Sequence, residues 1–359
     1  MSALKSVRDY RVTGPEYQLA QERALAMAEW YESPIPRQRM KELMRRKNGP
    51  GIRDVIIWVS LLGLTGTLAW FSWGSWWAIP AFFIYAQIYA TMADAMWHET
   101  SHGTAFKSDW LNELMYHISS FMTLKPATSA RWSHTNHHTD TFIVGRDPEI
   151  RPRPPVWMTM IIELLKLNEG PRDFKRNLLH ALGQLTEVEK VYVPKAKQHI
   201  VFWEARIRML ILLGVALWCI SIESILPALF IGLPTFYGFA TIVLITLPQH
   251  LGLSEDVLDH RLNTRTYYLN PFLRFLYMNM NYHIEHHMFP MVPYHALPAL
   301  HEEMKKDCPR ANSSLWEALK EVVVALRRQR NDVNYSLVRP LPETARSYNF
   351  GPQAQQVTL

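Results

Sequence analysis

The chain has 359 residues, enough for one large domain or two ordinary ones, with 19% charged and 48% apolar residues. Its two cysteines, Cys219 and Cys308, exclude a four-cysteine zinc site, a rubredoxin centre or an iron–sulfur cluster built by this chain alone, and they supply no disulfide framework. The net charge of +6 lies beside apolar spans, which favours membrane topology over nucleic-acid binding, so no nucleic-acid partner is expected.

Met1 to about Pro50 is polar and charged and has no early apolar core, so no secretory signal peptide is expected. From Val55 to Ala93 no residue is charged. One crossing needs about 20 residues, so this run predicts two crossings joined by a tight turn. The turn falls at Ser72-Trp73-Gly74-Ser75-Trp76-Trp77, where glycine breaks the helix and tryptophans suit an interface. Trp110 to Leu124 is apolar but too short to cross, and is expected to lie in the interface or re-enter part-way. Pro148 to Pro155 is proline-rich and irregular. Met209 to Ile222 and Ser224 to Gln249 are uncharged, with Glu223 between them. They read as a second helical hairpin, with Arg206 and Arg208 snorkelling at its entrance. Leu315, Leu319, Val322, Val323 and Leu326 make an amphipathic helix, and the tail after about Asn334 is expected to be loosely ordered.

Four crossings put both termini on one side. Arg37, Arg39, Lys41, Arg45, Arg46, Lys47 and Arg53 precede the first, while the two predicted hairpin turns carry no Lys or Arg. The positive-inside rule places both termini, and the segment from Met96 to about Glu204, in the cytosol. The expected architecture is an all-α integral membrane protein with four transmembrane helices in two hairpins and a cytosolic helical cap. Residues 1–50 form an N-terminal segment, 51–300 the membrane catalytic domain, and 301–359 a C-terminal helix and tail.

Nine of the fifteen histidines form a pattern. His98 and His102 make H-x-x-x-H. His134, His137 and His138 make H-x-x-H-H, which His283, His286 and His287 repeat. His250 ends the fourth predicted crossing. On a helix, residues three and four apart share a face, so their imidazoles converge on one point. The adjacent third histidine of H-x-x-H-H turns aside, within reach of a second ion. Nine nitrogens exceed what one ion takes, so two metals are expected. Charge bias independently places all nine at or beyond cytosolic membrane edges. His117, His180, His199, His260, His295 and His301 fit no pattern and read as structural or surface residues. Candidate outer partners that would fix the ligands are Asp94, Glu99, Asp140, Asp147, Glu149 and Glu285. Asn281 could bind metal directly, through water, or merely cap a helix. Met92, Trp97, Trp132 and Tyr282 lie near ligands and are candidate substrate-wall residues, with ordinary packing as the alternative. A membrane zinc hydrolase would leave most of the nine unexplained. A metal transporter would place its ligands near mid-membrane.

His-Glu-Thr-Ser-His-Gly, Ser-His-Thr-Asn-His-His-Thr-Asp-Thr and Asn-Tyr-His-Ile-Glu-His-His-Met-Phe-Pro resemble the three histidine boxes of the membrane fatty-acid desaturase and hydroxylase superfamily. The likeness runs from about Val55 to Leu300. The third box, followed by Pro290, Pro293 and Leu297-Pro298, is most similar to bacterial acyl-lipid desaturases. Thr139-Asp140-Thr141 through Gly145-Arg146-Asp147-Pro148-Glu149 is less typical, and leaves hydroxylases and small-substrate oxygenases open. The resemblance implies two Fe ions held by these histidines, O2 as co-substrate, an apolar and expectedly acyl substrate, and a four-crossing fold. Imidazole alone suits iron, zinc, copper and nickel alike. No fused haem-binding His-Pro-Gly-Gly signature occurs. Electrons would therefore come from a separate ferredoxin, rubredoxin or cytochrome with its reductase.

Overall fold

In the computed structural model, residues 8–26 and 28–348 are described, and all their regular elements are helices. Two isolated bridges, Thr266 to Tyr282 and Tyr267 to Asn312, are the only strand-like pairings among them. The first hairpin forms as expected. Helix Asn48–Ser72 ends at Trp73, Gly74 takes a left-handed φ of +86°, and helix Ala78–Ser101 returns. Trp58 locks the pair, its indole N–H donating to the Ile88 carbonyl across the hairpin. The outer faces are apolar and exposed, at Ile56, Val59, Leu64 and Leu68 on one helix and Ile79 and Ile84 on the other. Trp76 and Trp77 stand out at the turn.

The second apolar block departs from the expected hairpin. Gln198–Ser221 is one helix, but its partner is broken into Leu226–Phe230, Pro234–Tyr237 and Ala240–Thr246. Pro227 and Pro234 remove backbone donors, and Gly232 adopts φ +91°. Gly238 has a different reason. A Cβ there would meet the Ala86 carbonyl at 2.1 Å, so only glycine lets the broken limb press onto helix Ala78–Ser101. That helix repays the lost backbone bonds through Gln87. Its amide donates to the Tyr237 carbonyl at 3.1 Å and accepts from Thr241 N at 2.9 Å and Thr241 Oγ1 at 2.8 Å. Among the described residues, one stretch, within Arg37–Ser72, is long and apolar enough to cross a membrane by length and composition. Helix Ala78–Ser101 carries Gln87, Asp94 and Glu99, and Gln198–Ser221 carries Glu204, Arg206 and Arg208.

Neither arginine snorkels freely. Arg208 is buried and donates to Asn177 Oδ1, and Arg206 donates to the Ala181 carbonyl. They meet the cap helix Glu169–Ala181, which packs along Gln198–Ser221. Helix Asp109–Met122, expected to lie in the interface or re-enter part-way, turns Trp110, Leu114 and Ile118 outward on one face. The C-terminal helix runs Leu315–Gln329, capped by Ser314 on Glu317 N. It buries Val322 and Leu326 against Met160, Trp157 and Leu247. The tail is more ordered than expected up to residue 348, and its remaining residues lie outside the described ones. Leu337 N donates to the Gly252 carbonyl, Arg346 N to Asp307, and Tyr348 Oη to the Glu29 carbonyl. The N-terminal segment is likewise tied down, through Arg8 to Asp256 at 2.6 Å and Tyr31 N to the Leu258 carbonyl at 2.9 Å.

Glu189 is the hub that fixes the cap to the second box helix. Its buried carboxylate accepts from Ser129 at 2.6 Å, Arg176 at 2.9 Å, His180 at 3.0 Å and Thr186 at 2.7 Å. Burial alone would raise its pKa, but the His180 and Arg176 partners hold it well below its ordinary 4.5. The folded state therefore prefers the carboxylate. That stability is present above about pH 4.5 and is lost as pH falls. Glu189→Gln leaves Arg176 and His180 facing an uncharged amide. It is expected to cost about 3 kcal/mol at neutral pH, with the deficit shrinking in acid, as thermal melts from pH 7 to pH 4 will show.

Candidate metal centre

Helix Ala78–Ser101 runs on past its apolar part, so His98 and His102 project from the hairpin's end. Helix Ala127–Thr139 presents His134 and His138 one turn apart, with His137 turned aside. Helix His283–Met288 is a buried short helix holding the third box. These elements, with the turn that carries His250, bring all nine histidines together. One group contains His98, His102, His134, His138 and His286, and a second contains His137, His250 and His287, each with ligand atoms within 4.8 Å of one another. His283 joins the second, with its Nε2 3.1 Å from the Nε2 atoms of both His250 and His287. The two H-x-x-H-H boxes are used in opposite senses. The second box sends its one-turn pair to the first group and its middle histidine to the second. The third box sends its pair to the second group and His286 to the first. The groups adjoin where His138 and His287 stack at 4.2 Å.

The tautomers can be read from the outer contacts. His137 Nδ1 donates to the fully buried Asp147 at 2.8 Å, and His134 Nδ1 faces Glu149 at 3.4 Å. His250 Nδ1 meets the Asn263 carbonyl at 2.9 Å, an atom that only accepts. Thr141 spends its single hydroxyl proton on the His137 carbonyl at 2.7 Å. Its lone pair therefore faces His287 Nδ1, at 3.2 Å. In each case Nδ1 carries the proton and Nε2 is left as a lone pair. The Nε2 atoms of the first group face one another. His134 Nε2 lies 3.2 Å from both His102 Nε2 and His138 Nε2, and His138 Nε2 lies 3.2 Å from His286 Nε2.

Facing lone pairs repel unless a cation sits between them. Metal–imidazole bonds of about 2.1 Å set at right angles place neighbouring nitrogens about 3 Å apart. The spacing present here fits that edge, so the residues suit two ions side by side. Burial, then neighbouring imidazoles, hold His134, His138, His283, His286 and His287 far below the ordinary histidine range, in the neutral form that binds metal. For His137, burial also acts downward, but the Asp147 carboxylate prevails and raises it to about 9. Asp147 thus stabilises positive charge on this imidazole, whether brought by a proton or by a metal.

Of the expected outer partners, Asp147 and Glu149 touch box histidines. The others hold the scaffold. Asp94 pairs with Lys125 at 2.5 Å, and Lys125 covers the Trp97 ring at 3.6 Å. Glu99 accepts from Thr104 at 2.6 Å and from Tyr294 N at 3.0 Å, joining the first box to the loop beyond the third. Asp140 pairs with Arg146 at 3.0 Å. Glu285 accepts from Thr266 at 2.6 Å and from His301 at 2.5 Å, so His301 braces the third box from behind. Asn281 donates to the Tyr267 carbonyl at 2.8 Å, and its Oδ1 is buried without a partner. Trp97 packs 5.4 Å from His134, whereas Met92 is core and Tyr282 packs on His301. Trp132 packs with Tyr192 and Val193. Thr141, Gln249 and the Asn263 carbonyl were not anticipated as outer partners. Gln249 lies 3.1 Å from His283 Nδ1, next in sequence to His250. That adjacency was the one available signal.

Asp147→Asn removes the acceptor that fixes His137. It is expected to weaken metal binding about ten- to hundredfold, measured by metal analysis after equilibration at graded free metal.

A family model described as fatty acid desaturase matches residues 74–318. A fatty acid conjugase from Calendula officinalis is 24% identical over 282 residues, which span 68% of this chain and 74% of that protein. With the histidine boxes assembled at one end of a helical bundle, the chain belongs to the fatty acid desaturase family of membrane-associated oxidoreductases.

Proposed function

We propose that the chain is a multi-pass membrane enzyme with two Fe ions that uses O2 to desaturate an acyl chain. The observation that carries this reading is the two adjoining groups of imidazoles, five and four, at metal-ligand spacing, with the Nδ1 atoms of His134, His137, His250 and His287 turned to outer acceptors. His98, His102, His134, His138 and His286 would hold one ion, and His137, His250, His283 and His287 the other. When bound, the iron pair supplies the oxidising chemistry that breaks an unactivated C–H bond. The protein's own part is positional. Asp147, Glu149, Thr141 and the Asn263 carbonyl keep the imidazoles oriented. Trp97 and Tyr116 pack beside the first group and exclude water from its apolar side.

The bilayer reading rests on the exposed apolar faces of Asn48–Ser72, Ala78–Ser101 and Gln198–Ser221. In the last, Ile207, Leu210, Leu213, Leu217 and Ile220 all face outward. Exposed tryptophans at the first turn and basic residues before the first helix support a cytosolic cap and cytosolic termini. The fourth crossing would be the broken limb. Irregular backbone is tolerated at membrane depth where protein satisfies it, which is what Gln87 does. Residues 51–300 would form the catalytic domain, with 1–50 and 301–359 as cytosolic flanks. A separate ferredoxin, rubredoxin or cytochrome would deliver electrons.

Hydroxylation is the second reading, kept open by the Asp140–Glu149 segment, in which Thr141, Asp147 and Glu149 contact box histidines while Asp140 pairs with Arg146. Mass spectrometry of lipids and metabolites from cells expressing the native chain and His138→Ala decides between the two. A product two hydrogens lighter, absent from the variant, is expected. A product one oxygen heavier would transfer the assignment to hydroxylation. Zinc alone at full occupancy in the purified protein would overturn both.

A further inference from the structure

Trp30 lies in an irregular part of the N-terminal segment and is part-exposed. Its indole stacks on the buried His260 ring, with centroids 4.3 Å apart and planes 7° from parallel. His260 belongs to neither histidine group, yet its ring lies 5.3 Å from that of His287. The same indole donates its N–H to the Thr139 carbonyl at 3.1 Å, one residue beyond His138. One surface ring therefore reaches both histidine groups, one through a stacked imidazole and the other through a hydrogen bond and one peptide. The segment is held rigidly. Tyr31 N donates to the Leu258 carbonyl, Tyr31 Oη to Asp307 at 2.7 Å, and Arg261 lies over the Tyr31 ring at 3.5 Å.

A plug would not need this chemistry. His260 Nδ1 is buried without a hydrogen-bond partner, a cost that phenylalanine or leucine would avoid in the same space. Phe142 stacks on His250 and Trp97 packs on His134, but both are buried. They offer no contact to another protein.

We infer that Trp30 and His260 form the electron-entry path, and that a one-electron carrier protein docks over Trp30. The inference rests on the di-iron reading above. Desaturation takes one O2, two hydrogens from the chain, two electrons and two protons, and yields an alkene and two waters. Two reduced carriers are each oxidised by one electron per turnover. The electrons pass through the Trp30–His260 stack, and no bond forms or breaks in it.

The test avoids any choice of natural carrier. A ruthenium photoreductant is attached to a cysteine introduced by Glu29→Cys, beside Trp30. Reduction of the bound ferric iron is timed by transient absorbance after a flash. In this background Trp30→Ala and His260→Leu are each expected to slow reduction at least about tenfold, while Trp30→Phe, which keeps a ring in the stack, stays within about threefold. Iron content per chain is expected to match in all forms. Unchanged rates in Trp30→Ala would overturn the path. So would loss of iron with an unchanged rate per iron, which would make the pair structural. If the parent protein holds no iron, the di-iron reading fails first, which is a different result from a path that fails in a loaded protein.

Discussion

Nine imidazoles with their free nitrogens turned toward one another are the constraint on which this structure depends. Packed apolar groups attract, and paired polar groups satisfy each other. Here inward-facing Nε2 atoms lie 3.1–3.2 Å apart, and four of the imidazoles commit their Nδ1 protons outward, to two carboxylates, a hydroxyl and a carbonyl. Such a centre is unfavourable by itself and becomes favourable around cations, so metal affinity and cap stability are one quantity. The rest of the cap opposes that repulsion. Glu285 and His301 brace the third box, Glu99 ties the first box to Tyr294, and Glu189 anchors the second.

The clustering of the histidines was legible because its signal is local. One-turn spacing within a helix places His134 and His138, or His283 and His287, on one side without reference to the rest of the fold. The reversed use of the two boxes was not legible, since it depends on how two helices face each other. Outer partners divide the same way. Asp147 and Glu149 lie close in sequence to the box they serve and were anticipated. Thr141 acts on His287 across the fold, and Asn263 acts through its backbone, which no side-chain pattern reveals.

The apolar runs predicted the first hairpin and its turn, but misjudged the second block as a simple hairpin. Composition counts charges, whereas continuity depends on Pro227, Pro234, Gly232 and Gly238. These break the limb without changing its hydropathy. Arg208 was misread for a related reason. Its expected route was to solvent, but Asn177 on a cap helix reaches it first. Order at both ends was also hidden, because Tyr348, Glu29, Arg346 and Asp307 are distant in sequence and carry no periodic signal.

Each histidine group draws on both the second and the third box, and this sets an order of assembly. During synthesis the first two boxes leave the ribosome long before the third. Four of the five imidazoles of one group then exist without His286, while the other group has only His137. An incomplete set of nitrogens selects poorly among divalent ions, and intrinsic affinity would favour copper or zinc over iron. The residues that complete both groups arrive together on one short buried helix, His283–Met288, which the chain beyond it braces through His301 on Glu285. On the di-iron reading, metallation would therefore be a late event in the life of the chain, with the third box as its checkpoint.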